Sequence, residues 1–398
     1  MQILPKIKRR LSSRIFKIVL LACVLIAFGA VFASSREVSI FNFKTLFRNA
    51  GNLPMSEKIR DGIALLKASP PLAYTTGNGK DSGGILKQQI ALAILDLNTG
   101  EVFEYRMWVS GEYIDPASNP LHVRVLWWNS FNSVYEIPNK KNLVVVANKY
   151  LVERKYLPEQ ASLHLVINAP RSRYTDMVYA PYSELLHAPD VMEAGKAYLA
   201  KHSDAAYEEL RSDGVLSLAS PGKLVVDATP KNLVKNIVLV EHIDPSWLAL
   251  SDDGGKSLAE RTLVLIGANQ EWAYRYTNSP AGANGLAQFI RPTYDLLVER
   301  YPSAHLIKDY QLGMSDHTNA MKAVALLFDN DKKSIQDNLR KPQEVTSAML
   351  AASYNGGPSR VIDSVNKSGN TWYQSSAFPN ETANYIKKFN LIEALKLF

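Results

Sequence analysis

The sequence predicts an α+β protein in three parts: an N-terminal membrane anchor, a β-rich middle domain and an all-α C-terminal domain. Three observations predict it. A basic N-terminus runs into an uncharged apolar stretch over residues 18–33. Short runs rich in β-branched and aromatic residues recur between residues 88 and 169. After Pro245 the apolar residues change to helical spacing. A chain of 398 residues is too long for one small core, and 46% hydrophobic with 21% charged residues excludes wholesale disorder.

The parts divide as residues 1–33, 34–86, 87–244 and 245–398. In the first, Lys6, Lys8, Arg9, Arg10, Arg14 and Lys17 precede the apolar run. As a helix that run spans about 24 Å, a little short of a bilayer core. Ile15 and Phe16 extend it if Lys17 snorkels. The positive flank predicts a cytoplasmic N-terminus and an exported remainder. A cleaved signal peptide is the rival, because Val31-Phe32-Ala33 resembles a cleavage site. Both readings place the bulk of the chain outside the cytoplasm, in the cell envelope.

Residues 34–86 hold a helix over 56–68, closed by Pro70-Pro71, and a Gly/Ser-containing linker over 75–84. In the middle domain, Asn98-Thr99-Gly100 separates two strand-like runs and reads as a hairpin turn. "LHVRVLWW", "NLVVVANKYLV" and "SLHLVIN" add strands, and one of Trp127 and Trp128 is expected in the core. Residues 189–213 read as a helix, and "KLVVDA" and "NIVLVEHI" as strands or buried segments. No chemistry is legible in this domain; positioning the active site at the wall, binding an envelope partner and restraining activity are the roles left open for it.

The C-terminal part opens with "SLAERTLVLIGANQ", where Ser257 and Glu260 form a capping box and the helix fades near Asn269. "EVTSAMLAASY" and "ETANYIKKFNLIEALKLF" are further helices, the latter with Tyr385, Phe389 and Ile392 on one face.

Composition excludes some functions. The single cysteine, Cys23, forbids an intramolecular disulfide, and the seven histidines make no zinc motif, so neither metal nor cofactor is expected. The net charge of +7 suits an anionic envelope surface, but no nucleic-acid-binding motif accompanies it.

The candidate acid is Glu271. It is followed by Trp272, Tyr274 and Tyr276, then by a glycine loop with Gly282 and Gly285. A carboxyl among aromatics loses hydration, holds its proton nearer neutral pH and can act as a general acid. Glycines let backbone N–H groups approach a ligand closely. Glu241, in "VLVEHID", is a rival: a second functional acid or a buried pair with His242.

The stretch "QEWAYRYTNSPAGANGLAQFIRPT" resembles the signature of the soluble lytic transglycosylases, with Ser279, Gly282, Ala283, Gly285, Leu286, Gln288, Pro292 and Thr293 in the expected places. "LAASYNGGPSRV" resembles the family's second motif through Tyr354, Asn355, Gly356, Pro358, Arg360 and Val361, and "PNETANYIKKF" its third. The departures are Trp272 for serine, Ala287 for methionine, Gly357 for the small residue of the second motif, and a spacer from Glu271 to Ser279 one residue short.

The resemblance covers the C-terminal third and implies a lysozyme-like helical domain. It implies a peptidoglycan lytic transglycosylase that acts on glycan strands and leaves a 1,6-anhydro product. Glu271 would be the general acid and base, and Tyr354 would orient it. Ser279, Gly282, Gln288 and Asn355 would line the sugar groove, with Glu381 and Tyr385 supporting it. A hydrolytic muramidase would instead need a second acid, with Glu241 or Asp316 as candidates. The reading from a different class is a non-catalytic wall-binding scaffold, suggested by the Trp272 and Ala287 departures.

Overall fold

The computed structural model describes residues 53–398 apart from 77–84, 112, 129–132, 161–172, 245–247, 249–250, 252 and 375–377. The anchor or signal expected over 1–33 lies outside the described residues. Among the described residues no helix is long and apolar enough to cross a membrane.

Helix α1 (Met55–Ala68) comes first and stops before Pro70, as its sequence requires. An antiparallel sheet follows, built from β1 (Tyr74–Thr76), β2 (Ile85–Asp96), β3 (Val102–Ser110), β4 (Tyr113–Ile114), β7 (Leu143–Glu153) and β8 (Tyr174–Tyr179). Among the described residues, strands β5 (Arg124–Trp128) and β6 (Ser133–Glu136) pair only with each other. The main order is β4-β3-β2-β7-β8, with β1 also paired to β2. The β2–β3 turn is the one the sequence marks. Gly100 takes a positive φ of 73° and donates to the Asp96 carbonyl at 2.7 Å, and the Asp96 side chain accepts from Asn98 N–H.

The central strand β2 is buried on both faces from Ile90 to Leu95. Ala91, Ala93 and Ala147 make one face shallow, and α1 settles into it. A β-carbon added at Gly62 would lie 2.8 Å from Val146 and 3.0 Å from Ala93. On the other face Ile90, Leu92, Ile94, Met107, Val145 and Met177 form a core that Leu265 of the helical region joins.

The α1–sheet contact has a polar clasp. Lys149 on β7 is 3% exposed, and its Nζ reaches the carbonyls of Leu66 (3.0 Å), Ser69 (2.9 Å) and Pro70 (3.2 Å) and the Asp176 carboxylate (3.2 Å). These carbonyls end α1 and have no partner within the helix. Lys149→Met takes the ammonium from all of them, although Leu66 and Pro70 keep bonds from Ser69 Oγ and Arg106 Nη2, and Asp176 one from Leu72 N–H. We expect a loss of about 3 kcal/mol in denaturant unfolding. A loss under about 0.5 kcal/mol would show that water replaces the clasp without penalty.

The helical region begins at α2 (Pro189–Ser212) and continues with α3 (Val225–Ala228), α4 (Lys231–Glu241) and α5 (Lys256–Asn269). Then come α6 (Arg291–Arg300), α7 (Tyr310–Ser315), α8 (His317–Asn338), α9 (Ser347–Gly356), α10 (Pro358–Ser368) and α11 (Asn380–Leu395).

This corrects the expected architecture. The β-rich region is 74–179, helices take over from Pro189, and Leu53–Phe398 form one compact unit. The division into a β-rich domain over 87–244 and an all-α, lysozyme-like domain from 245 does not hold. "KLVVDA" supplies α3, and "NIVLVEHI" supplies most of α4. The misreading has a cause: every residue from Leu233 to Val240 is buried, so neither the helical nor the strand period is visible in the run. The seam with the sheet is also tight. Asn269, closing α5, accepts from Ala180 N–H at 2.7 Å and donates to the Ala180 carbonyl at 3.0 Å.

The capping box fails for a local reason. Helix α5 starts at Gly255, whose φ is 94°, and the side chain of Asp253 accepts from Ser257 N–H at 2.8 Å. Glu260 instead meets His187 Nε2 at 3.1 Å.

Candidate active site

The site forms where α4 ends. Its apolar run drives the helix into the core, and the chain then turns at His242. Glu241, the last helical residue, is half-buried. The Tyr385 hydroxyl on α11 donates to Glu241 Oε1 at 2.6 Å. Burial pushes the Glu241 carboxyl up to about 7, although the Tyr385 hydrogen bond and the Lys388 charge pull the other way. The residue keeps some surface in solvent while its carboxyl is dehydrated. A carboxyl so placed is still protonated near neutral pH, as a general acid must be.

Tyr354 on α9 stands beside Tyr385, the rings 6.5 Å apart and 18° from parallel. Its hydroxyl donates to the Ala287 carbonyl at 2.5 Å. The loop over residues 277–289 is thereby tied to the two tyrosines. A second tie comes from His242, whose Nε2 lies 2.8 Å from the Leu286 carbonyl. A carbonyl only accepts, so Nε2 carries the hydrogen. His242 also stacks on Tyr274 at 3.6 Å, and burial lowers its pKa to about 4, which keeps the ring neutral at pH 7.

The loop's glycines and polar residues serve the loop itself. At Gly285 φ is 72°, and an added β-carbon would lie 2.2 Å from the Met314 carbonyl oxygen. No larger residue fits there. Gly282 is exposed, with nothing near its missing β-carbon. Its carbonyl lies 2.9 Å from the Tyr310 hydroxyl, which also sits against the Phe289 carbonyl. Ser279 Oγ accepts from Ala283 N–H at 3.0 Å. Gln288 takes a left-handed φ of 50° and donates to the Gly285 carbonyl at 2.7 Å.

Glu271 stands elsewhere. It is exposed, in a single 3-10 turn after α5, and its charge is felt by Tyr198 and His202 on α2. Among the described residues no hydrogen bond joins it to Tyr354. The aromatics expected to dehydrate it turn away: Trp272, Tyr274 and Tyr276 pack against the sheet core. Arg275 Nε donates to Glu159 at 2.9 Å.

Asn355 and Glu381 are close to the Glu241 group. Asn355 Oδ1 accepts from the Thr382 hydroxyl at 2.8 Å, and exposed Glu381 lies one turn before Tyr385, near enough for its charge to act on Glu241. Asp316 caps α8 by accepting from Asn319 N–H at 2.8 Å. Thus Tyr385, Tyr354 and Glu381 surround or feel Glu241, while the 277–289 loop is tied to Tyr354 and to neighbouring His242, and Asn355 to Thr382 on α11. The signal in the sequence was an acid closing the apolar run "VLVEHID". Its partner is Tyr385 rather than His242.

The arrangement has a consequence for stability. Between the ordinary carboxyl value of 4.5 and about 7, Glu241 is ionised in the unfolded chain and protonated in the folded one. The folded state then binds the extra proton, so stability falls as pH rises through that window. Glutamine cannot ionise. Relative to wild type, Glu241→Gln should gain on the order of 2–3 kcal/mol between pH 4.5 and pH 8. Urea unfolding at the two pH values measures this, and parallel pH profiles for the two proteins would refute it.

Among the described residues no group of three or more His, Cys, Asp or Glu comes together to hold a metal ion. No protein-family model and no curated protein matches this chain.

Proposed function

We propose that the chain cleaves peptidoglycan glycan strands as a lytic transglycosylase, with Glu241 as the general acid and base. The observation that carries this reading is the Glu241 carboxyl itself, dehydrated on a half-buried residue, raised to about 7 and hydrogen-bonded by Tyr385. The resemblance of the 279–293, 350–361 and 379–389 segments to transglycosylase motifs supports the substrate class. The motif residues around Glu241 are those the resemblance names, and the acid role passes from Glu271 to Glu241.

Protonated Glu241 gives its proton to the glycosidic oxygen between N-acetylmuramic acid and N-acetylglucosamine. The bond from that oxygen to C1 breaks, and the sugar's own N-acetyl oxygen stabilises C1. The carboxylate, held by the Tyr385 hydroxyl, then takes the proton of the C6 hydroxyl. The C6 oxygen bonds to C1 and closes the 1,6-anhydro ring. No water is consumed, and Glu241 ends protonated as it began. Tyr354 and His242 hold the 277–289 loop through the Ala287 and Leu286 carbonyls. Work on the wall places the activity outside the cytoplasm.

One observation favours a second reading. Glu381 is an exposed carboxylate whose charge reaches Glu241. A hydrolytic muramidase would use such a group to activate water. Mass spectrometry of the soluble products from purified sacculi decides. Anhydro-muropeptides support the transglycosylase, and reducing ends that disappear in Glu381→Gln support the hydrolase. Binding to sacculi without product release would leave a wall-binding scaffold.

A further inference from the structure

The last helix places a cation behind the acid. Lys388, nearly one turn on from Tyr385 in α11, is 7% exposed. Its Nζ donates to the Val240 carbonyl at 2.8 Å and the Ile243 carbonyl at 2.9 Å. Those carbonyls flank Glu241-His242 in sequence. Carbonyls at a helix C-terminus lack intrahelical partners and carry the negative end of the helix dipole. A buried ammonium satisfies both at once. We propose that Lys388 is a positioning residue for Glu241: it pins the end of α4 so that the carboxyl meets Tyr385, and it holds a positive charge behind that carboxyl.

This rests on the reading of Glu241 as the acid only where it concerns catalysis; the electrostatic part stands without it. The titratable and charged groups that act on Glu241 or feel its charge are Tyr385, Lys388 and Glu381 on α11 and Tyr354 on α9. Both tyrosines are held well above their ordinary range by burial and stay neutral. Glu381 repels the Glu241 carboxylate, so Lys388 is the cation among them that favours it. In return, burial lowers the Lys388 pKa, and the charges of Glu241, Asp244 and Glu381 oppose that fall. The same ammonium helps to keep neighbouring His242 neutral, and so preserves its donor to Leu286.

A plain helix cap would affect stability alone. A positioning residue must also move the titration of the acid. The test is a carboxyl ¹³C NMR titration of the full chain labelled at glutamate, with the Glu241 signal assigned by its loss in Glu241→Gln. Lys388→Gln keeps a donor for the carbonyls and removes the charge. Its Glu241 midpoint should rise by about half a pH unit or more, and the alkaline limb of its pH–rate profile should rise with it. Lys388→Arg keeps the charge and should titrate like wild type. An unmoved midpoint in Lys388→Gln overturns the proposal, whatever the melting temperature does. So does a Lys388→Arg midpoint displaced upward by that amount, whether or not Lys388→Gln folds. If the midpoint moves as expected while Glu241→Gln still digests sacculi, the charge coupling stands and the catalytic reading of Glu241 falls.

Discussion

Glu241→Gln should lower the release of soluble fragments from purified sacculi by about 100-fold or more, the range a positioned general acid contributes. Glu271→Gln should retain most of the activity. The contrast follows from placement. Glu241 is dehydrated, hydrogen-bonded by buried Tyr385 and flanked by Tyr354, whereas Glu271 stands exposed in a turn. Glutamine keeps the shape of the side chain but cannot supply a proton, so binding to sacculi should survive in Glu241→Gln. The reverse pattern, activity lost in Glu271→Gln and kept in Glu241→Gln, would return the acid role to Glu271. Activity kept in both variants would mean that another group supplies the proton.

Gly267→Ala should destabilise the protein by about 3 kcal/mol or more, a result set by the crossing of α2 and α5. A β-carbon at Gly267 would lie 2.1 Å from the Val191 carbonyl oxygen, and one at Gly195 would lie 2.1 Å from the Leu263 carbonyl oxygen. The two backbones touch at this pair, and no side chain can move aside to make room. Helix propensity acts in the opposite direction. Replacing glycine by alanine inside a helix gains about 1 kcal/mol. The contact is with backbone, so the steric term wins, and the melting temperature should fall. Glycine-to-alanine at exposed Gly282 adds no clash, although its φ of 82° disfavours alanine, and should cost less than Gly267→Ala. A Gly267→Ala protein as stable as wild type would mean the helices part without loss.

Much of the local structure is legible in the sequence, because short-range signals govern it. The helix ending before Pro70, the hairpin at Asn98–Gly100, the long helix from Pro189 and the helix ending near Asn269 all form where the residues indicate. Each rests on a breaker, a turn residue or an apolar period. The capping box was overridden by Asp253, four residues before Ser257, because a carboxylate there reaches the same N–H. The buried run from Leu233 to Val240 hid its helix, since burial on all sides erases the period that would reveal it.

By itself the sequence determined these local elements. It also determined that the loop at 282–288 needs glycine, although the reason lies in Met314, beyond the loop. Tertiary structure decided the rest. It made helices of the 225–228 and 231–241 segments and packed the helical region with the sheet in one unit, because the apolar faces of both complete each other's cores. It also decided which acid loses its water. Dehydration of a carboxyl depends on what lies around it in space, and the groups around Glu241 come from residues 354, 385 and 388. Aromatic neighbours in sequence suggested Glu271, but those rings point into the sheet core. Chain order carries no information about that direction.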